Sequence, residues 1–287
     1  MENYLLGKEV VEKLNEEIRE GIECLKKEGI IPKLVMIRVG ENPDDISYER
    51  GATKRCENLK VAHETLVFPN TVKEETLIEV IKKLNEEKTV HGVLLFRPLP
   101  GHLNEDRILS FLAPSKDVDG VTQASLSGVF MEKELGFAPC TPKACIRMLD
   151  HYGISCQGKN VVVVGRSMVV GKPLSMLLLK KNATVTVCHS KSENLSEITK
   201  KADIVIVAMG KAQAMGEEFF SKGQTVLDVG IHVTKEGKLC GDVKTKEVAH
   251  IVDKISPVPG GVGAVTSAML LYHVLESAIK SVGEDYK

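Results

Sequence analysis

The chain has 287 residues, 43% of them apolar and 27% charged, with a formal charge of −1 at pH 7. That length supports two domains with a sizeable core, and the composition is that of a globular protein. A near-neutral charge argues against a general nucleic-acid binder, and the lack of tryptophan with few other aromatics argues against base-stacking platforms.

No apolar run approaches the roughly 18 residues of a membrane span, and the N-terminus lacks the basic-then-apolar layout of a signal peptide. The seven cysteines are scattered and none forms a C-x-x-C pair, so neither a metal site nor a disulfide framework is expected. A cytoplasmic setting follows, with no membrane and no nucleic acid as partner.

Residues 7–28 predict an amphipathic helix, because Val10, Val11, Leu14, Ile18, Ile22 and Leu25 recur at helical spacing; Gly29 stops it. Residues 34–39 read as a strand, 40–45 as a turn ending in helix-capping residues, and about 46–59 as a helix. A short strand at 66–68, a charged helix at 73–87 and a strand at 90–96 follow. That strand runs into Arg97-Pro98-Leu99-Pro100-Gly101, a rigid bend that cannot continue a sheet interior. A short helix at 104–112 and a polar loop through Asp119 and Gly120 come next.

The pattern restarts near Cys140-Thr141-Pro142 with a helix at 142–152, a strand at 161–164 and a helix at 173–181. A strand at 183–188, a helix at 195–202, strands at 204–208, 225–229 and 254–255, and a last helix at 266–281 complete the chain. Strands alternating with helices at this spacing predict an α/β protein with mainly parallel sheets, its domain boundary near 138–142.

The most informative stretch is Val161-Val-Val-Val-Gly165-Arg166-Ser167-Met-Val-Val-Gly171-Lys-Pro173. A β-branched run, a glycine-bounded loop and a helix start favour an anion, through free N–H groups and the helix dipole. The spacing is not G-x-G-x-x-G, so an ordinary strand-to-helix connection is the alternative. In a dinucleotide-binding unit the second strand usually ends in an acid for the ribose 2′-hydroxyl. Here it ends Cys188-His189-Ser190-Lys191, a potentially cationic imidazole, a hydroxyl and an amine, with Arg166 directly behind Gly165. A 2′-phosphate needs such charge and donors, so NADP fits better than NAD. The alternative leaves Arg166 a surface arginine and Ser190 a helix cap.

Taken in order, Lys116-Asp-Val-Asp-Gly120, Pro139-Cys-Thr-Pro142, Gly165-Arg-Ser-x-x-Val-Gly-x-Pro173, Asp228-Val-Gly230 and Pro257-Val-Pro-Gly-Gly-Val-Gly263 resemble the methylenetetrahydrofolate dehydrogenase/cyclohydrolase family. The resemblance runs from about Pro32 to Leu271. It implies an N-terminal α/β catalytic domain (1–139 plus 268–287), a Rossmann-type NADP-binding domain (140–267), a folate cleft between them, and a homodimer. It also implies oxidation of 5,10-methylenetetrahydrofolate to the methenyl form, which many members then hydrolyse to 10-formyltetrahydrofolate. By the same resemblance Tyr48 stacks on the folate and Asp119 holds the pterin, the two being the catalytic pair. Pro257, Gly260 and Gly261 flank the substrate, and Gly165, Arg166, Ser167, Gly171, His189, Ser190 and Ile231 hold the cofactor.

Two departures bear on function. Bifunctional members carry a lysine one helical turn after the tyrosine, where this chain has Ala52. Lys54 is two residues further, about 200° around a helix, and is expected to point elsewhere. Those members also carry glutamine in V-Q-L-P-L-P, where this chain has Phe96 in Leu95-Phe96-Arg97-Pro98-Leu99-Pro100. Ser125 replaces a family asparagine, and Val262-Gly-Ala264-Val265-Thr266 replaces V-G-P-M-T. Loss of the lysine–glutamine pair predicts a dehydrogenase without cyclohydrolase, accompanied by a separate cyclohydrolase in the same cell. The alternatives are a bifunctional enzyme in which Arg97 or Lys54 takes over, and a folate- and nucleotide-binding protein without catalysis.

Overall fold

The computed structural model describes residues 3–234 and 236–284, which fall into two compact units. One unit comprises Leu14–Pro139 and the chain from Ser267 onward; the other comprises the chain up to Lys13 and Cys140–Thr266. By their contacts, the described residues up to Lys13 group with the second unit, where the sequence placed them with the first. The Leu5 N–H donates to the Ile255 carbonyl (2.9 Å) and the Gly7 N–H to the Gly260 carbonyl (2.7 Å), pairings that no local pattern could announce.

In the first unit, α1 (Gly7–Lys27) puts Leu14, Ile18, Ile22 and Leu25 on its buried face. The strand β1 (Lys33–Val39) is followed by α2 (Pro43–Leu59), which begins three residues before the sequence suggested. The reason is local: Asn42 accepts the Asp44 N–H, and Pro43 sits at the first helical position, where no N–H is needed. Then come β2 (Ala62–Phe68), α3 (Glu74–Glu86), β3 (Gly92–Leu95), α4 (Glu105–Leu109) and α5 (Gln123–Met131). Near its start β2 has His63 half-buried and Glu64 exposed, as suits an edge strand, so the hydrophobic pattern does not reveal where it begins. The α5 helix was missed as well, because it has almost no amphipathic periodicity.

The three strands are parallel in the order β2-β1-β3. One face packs Val35, Ile37 and Val39 against Leu77, Ile78 and Ile81 of α3. A Cβ at Gly21 of α1 would collide with Leu275, and one at Gly92 of β3 with Val274, so α1, β3 and the last helix approach closely.

The second unit contains α6 (Cys140–His151), β4 (Asn160–Val164), α7 (Gly171–Lys180), β5 (Thr184–Cys188), α8 (Leu195–Lys200) and β6 (Ile204–Val207). After β7 (Thr225–Asp228) comes a small antiparallel hairpin of β8 (His232–Val233) and β9 (Leu239–Cys240), too short to show in the sequence. The chain continues through α9 (Thr245–Val248) and β10 (Lys254–Ile255). Five parallel strands in the order β10-β7-β6-β4-β5 bury the valine runs on both faces.

The last helix, α10 (Val262–Glu284), corrects the expectation about apolar runs: an 18-residue window within it has a mean hydropathy of 1.4, long and apolar enough to cross a membrane. Its Val265, Met269, Leu270, Leu271 and Val274 are buried inside the protein instead. The run was overlooked because His273 and Glu276 interrupt it.

Cys24 is exposed and the other six cysteines are buried. Burial pushes the Cys56 and Cys145 thiols up to about 12. Since the thiolate is the reactive form, the native protein should present one fast-reacting thiol to an aromatic disulfide reagent at pH 8. Cys24→Ser should abolish it; two or more fast thiols in the native protein would contradict the packing described.

Candidate active site

The turn after β4 is built backbone against backbone. Gly165 has φ +142°, and a Cβ there would strike the Ala208 carbonyl oxygen; a Cβ at Gly171 would strike the Gly165 carbonyl oxygen. The Gly165 N–H donates to the Cys188 carbonyl (2.8 Å), joining the ends of β4 and β5. Ser167 Oγ accepts the Val170 N–H (3.1 Å) and the Ser167 carbonyl accepts the Lys172 N–H (3.0 Å). Helix α7 thus begins at Gly171, two residues before the predicted start, with Pro173 still in the first turn. Arg166 and Ser167 stand exposed at its positive end. Only glycine fits at either position, since a side chain at each would run into backbone.

At the end of β5, His189 Nδ1 accepts the Lys191 N–H (3.1 Å). This contact ties the imidazole into the turn after β5. Ser192, not Ser190, closes this turn, accepting the His189 N–H at Oγ (2.9 Å). The Ser190 side chain is exposed, and α8 has no side-chain cap, so Ser190 is not spent on capping. The positive charge here comes from Arg166 and Lys191.

Two buried aspartates hold the neighbouring loops. Asp228 accepts N–H bonds from Gly230, Asp242 and Val243 (3.1, 3.0 and 2.9 Å). Burial nevertheless pushes its carboxyl up to about 6. Asp242 accepts from Met209, Gly210 and Lys211 (2.7, 3.1 and 2.8 Å) and meets His232 Nε2 at 2.7 Å. Sequence reading missed Asp242, whose one cue is its place between Gly241 and Val243. Beyond Gly230 lies Ile231, 57% exposed, whose Cδ1 fills the space that a Cβ at Gly263 would need. Ile231 thus lies against the segment containing Pro257, Gly260 and Gly261. That segment belongs to the same unit as the cofactor residues, not to the unit of Tyr48 and Asp119. Its Val258–Pro259 bond is cis, as is Arg97–Pro98.

In the other unit, Arg38 of β1 donates from Nε to Glu49 (2.6 Å), which fixes the rotation of α2 and so the direction of Tyr48. The Tyr48 ring meets Phe96 edge to face, with centroids 5.8 Å apart and planes at 84°. Phe96 is buried, and Ala52 lies one turn along from Tyr48. Lys54 is exposed. Arg55 was missed by sequence reading, although seven residues make about two turns and return it to the Tyr48 face. It is half-buried; burial pushes its guanidinium down and the nearby Tyr48 phenol pushes it back up.

Arg97 Nη1 donates to Glu105 Oε1 (3.1 Å), and its Nη2 lies 3.9 Å from Asp119 Oδ2. The loop carrying Asp119 is shaped by Asp117, which is fully buried and accepts the N–H groups of Gly120, Val121 and Thr122. Ser125 Oγ donates to Asp117 at 2.6 Å. The serine in place of the family asparagine is therefore tied into the loop scaffold. Among the described residues no group of three His, Cys, Asp or Glu side chains could hold a metal.

A parallel sheet with a glycine cradle at one strand end, in a chain whose other α/β unit carries a tyrosine and a carboxylate, has the makings of a dinucleotide-binding oxidoreductase. Residues 5–119 match the profile of the tetrahydrofolate dehydrogenase/cyclohydrolase catalytic domain, and 139–282 that of its NAD(P)-binding domain. The chain belongs to the tetrahydrofolate dehydrogenase/cyclohydrolase family. It is 49% identical over 271 residues to the bifunctional protein FolD of Clostridioides difficile, covering 94% of each chain. The bifunctional FolD structure from Campylobacter jejuni superposes with a TM-score of 0.94 at 38% identity, over 96% of this chain and 98% of that one. The Trypanosoma brucei dehydrogenase-cyclohydrolase, solved with NADP and an inhibitor, gives 0.90 at 31% identity, over 97% and 98%.

Because the cradle depends on contact between Gly171 and Gly165, Gly171→Ala should weaken NADPH binding at least about tenfold while leaving the circular dichroism spectrum unchanged. Unaltered affinity in a fluorescence titration would remove this turn from the cofactor site.

Proposed function

We propose that the protein is an NADP-dependent methylenetetrahydrofolate dehydrogenase in which cyclohydrolysis is absent or very weak. The observation that carries this reading is the edge-to-face contact of Tyr48 with Phe96, with Ala52 one turn along α2. NADP, when bound, supplies the acceptor for a hydride leaving the methylene carbon. The chain's own residues bind and orient. Gly165 and Gly171 leave room for the diphosphate, while Arg166, Ser167 and Ser190 suit the adenosine phosphate. Tyr48 presents a ring face to the folate, and Asp119 presents two acceptor oxygens to the adjacent N–H groups of the pterin. Pro257, Gly260, Gly261 and Ile231 offer backbone and apolar surface that a planar ligand can approach closely.

Cyclohydrolysis asks for more: water must attack the methenyl carbon while a side chain takes and returns protons. Phe96 has no donor or acceptor, and Ala52 has nothing beyond a methyl. Arg55 restores a positive charge to the Tyr48 face, but a guanidinium stays protonated in proteins and cannot shuttle protons as a lysine amine can. A bifunctional enzyme is the second reading, supported by that charge and by the relatives' bifunctional names. Under the first reading, the methenyl product passes to a separate cyclohydrolase.

With methylenetetrahydrofolate and NADP supplied, NADPH and the methenyl absorbance should rise together, and the methenyl signal should then decay no faster than without enzyme. Accelerated decay would establish the bifunctional reading, and absence of NADPH would leave a binding protein. The Ala52→Lys, Phe96→Gln double variant should gain measurable methenyl hydrolysis. A folded double variant without it would show that this pair does not decide the outcome.

A further inference from the structure

Arg97 stands where the family pattern V-Q-L-P-L-P has leucine, and the dehydrogenase reading gives it no task. Its side chain is nonetheless fixed from two directions. Glu105, in the first turn of α4, accepts from Nη1 at 3.1 Å through one carboxylate oxygen. Its other oxygen accepts the Leu99 N–H at 3.2 Å. One glutamate thus clamps both the guanidinium and the Pro98-Leu99-Pro100 bend. The second guanidinium nitrogen then lies 3.9 Å from Asp119 Oδ2, and all three side chains are between 23% and 29% exposed. At that separation the pairing is electrostatic without being a direct hydrogen bond. A carboxylate has about four acceptor sites, so it can pair with Arg97 and still accept from a ligand.

We propose that Arg97 is a positioning residue for the folate, acting through Asp119. The proposal rests on the reading above in which Asp119 holds the pterin. The pterin offers two adjacent N–H donors, and only an ionised carboxylate facing them accepts both. The guanidinium pairs with Asp119 on one side and with Glu105 on the other, and so offsets the repulsion between the two carboxylates. Leucine at this position does neither. In this chain the arginine links the bend after β3 to the Asp119 loop, one residue after the Phe96 whose ring meets Tyr48. Arg97 touches neither substrate nor cofactor in this assignment; its effect is on ligand affinity.

The test is steady-state kinetics on the full-length protein with methylenetetrahydrofolate and NADP varied separately. Arg97→Leu should raise the KM for the folate about three- to tenfold, with kcat changed less than about twofold and the KM for NADP unchanged, the pattern of lost ground-state and transition-state binding in equal measure. Arg97→Lys should recover part of the loss, since the charge is kept but the two-pronged geometry is not. Asp119→Asn should raise the folate KM by itself, and adding Arg97→Leu to it should cause no further rise, because the partner through which Arg97 acts is gone. An unchanged folate KM in Arg97→Leu would overturn the proposal. So would an Arg97→Leu effect of the same size on the Asp119→Asn background, which would mean that the arginine works through the bend or on the ligand directly. An unchanged folate KM in Asp119→Asn would overturn the underlying assignment of Asp119 and this proposal with it. Matching thermal unfolding of the variants and wild type separates these outcomes from misfolding.

Discussion

Parallel strand pairing is the constraint from which the rest follows. In both units every strand of the main sheet runs the same way, so all the carboxyl ends emerge along one edge and every return must be made by a crossover connection. Chemistry then collects where chain leaves sheet. Gly165 follows β4, His189 follows β5 and Ile231 lies just beyond β7; in the other unit Phe96 and Arg97 follow β3. The interiors of these sheets are valine, leucine and isoleucine runs that could be exchanged among themselves with modest effect. The residues just past the strand ends cannot, because each is held by a specific contact.

Those contacts share one device, a buried aspartate that accepts several backbone N–H groups. Asp117, Asp228 and Asp242 each take three such bonds and are almost fully inaccessible. Loops have no ladder to satisfy their N–H groups, and an unpaired buried donor costs on the order of 1–3 kcal/mol. A carboxylate with two oxygens gathers three donors at once and so fixes a loop that contains no secondary structure. Asp119 and Ile231 are presented by loops of this kind. The surface they offer is therefore set before any ligand arrives, which lowers the ordering cost of binding.

The substitutions around Tyr48 make a consistent chemical change. Ala52 and Phe96 remove hydrogen-bonding groups and place an aromatic ring against the tyrosine, and Arg97 brings guanidinium charge to the same unit, which already carries Arg55. Charge near a folate helps to bind and orient it; proton transfer needs a group that can change its protonation state near neutral pH. Arginine supplies the first and not the second.

The α/β class, the positions of most strands, the glycine turn at Gly165–Gly171 and the family are all legible in the residues alone. These depend on short-range patterns, namely β-branched runs, helical periodicity and motifs of contiguous residues. Hydrophobic pattern did not find β2's polar start, the hairpin of β8 and β9, or the first residues' pairing with Ile255, because each is stabilised by partners distant in the chain. Local reading placed His189 at the strand end, and only the folded turn shows its Nδ1 taken up by the Lys191 N–H. The tertiary structure likewise decided that Arg55 shares a face with Tyr48 and that Arg97, held by Glu105, reaches Asp119. A side chain's direction is set by the groups that pack around it, and those come from strands and loops that only folding brings together.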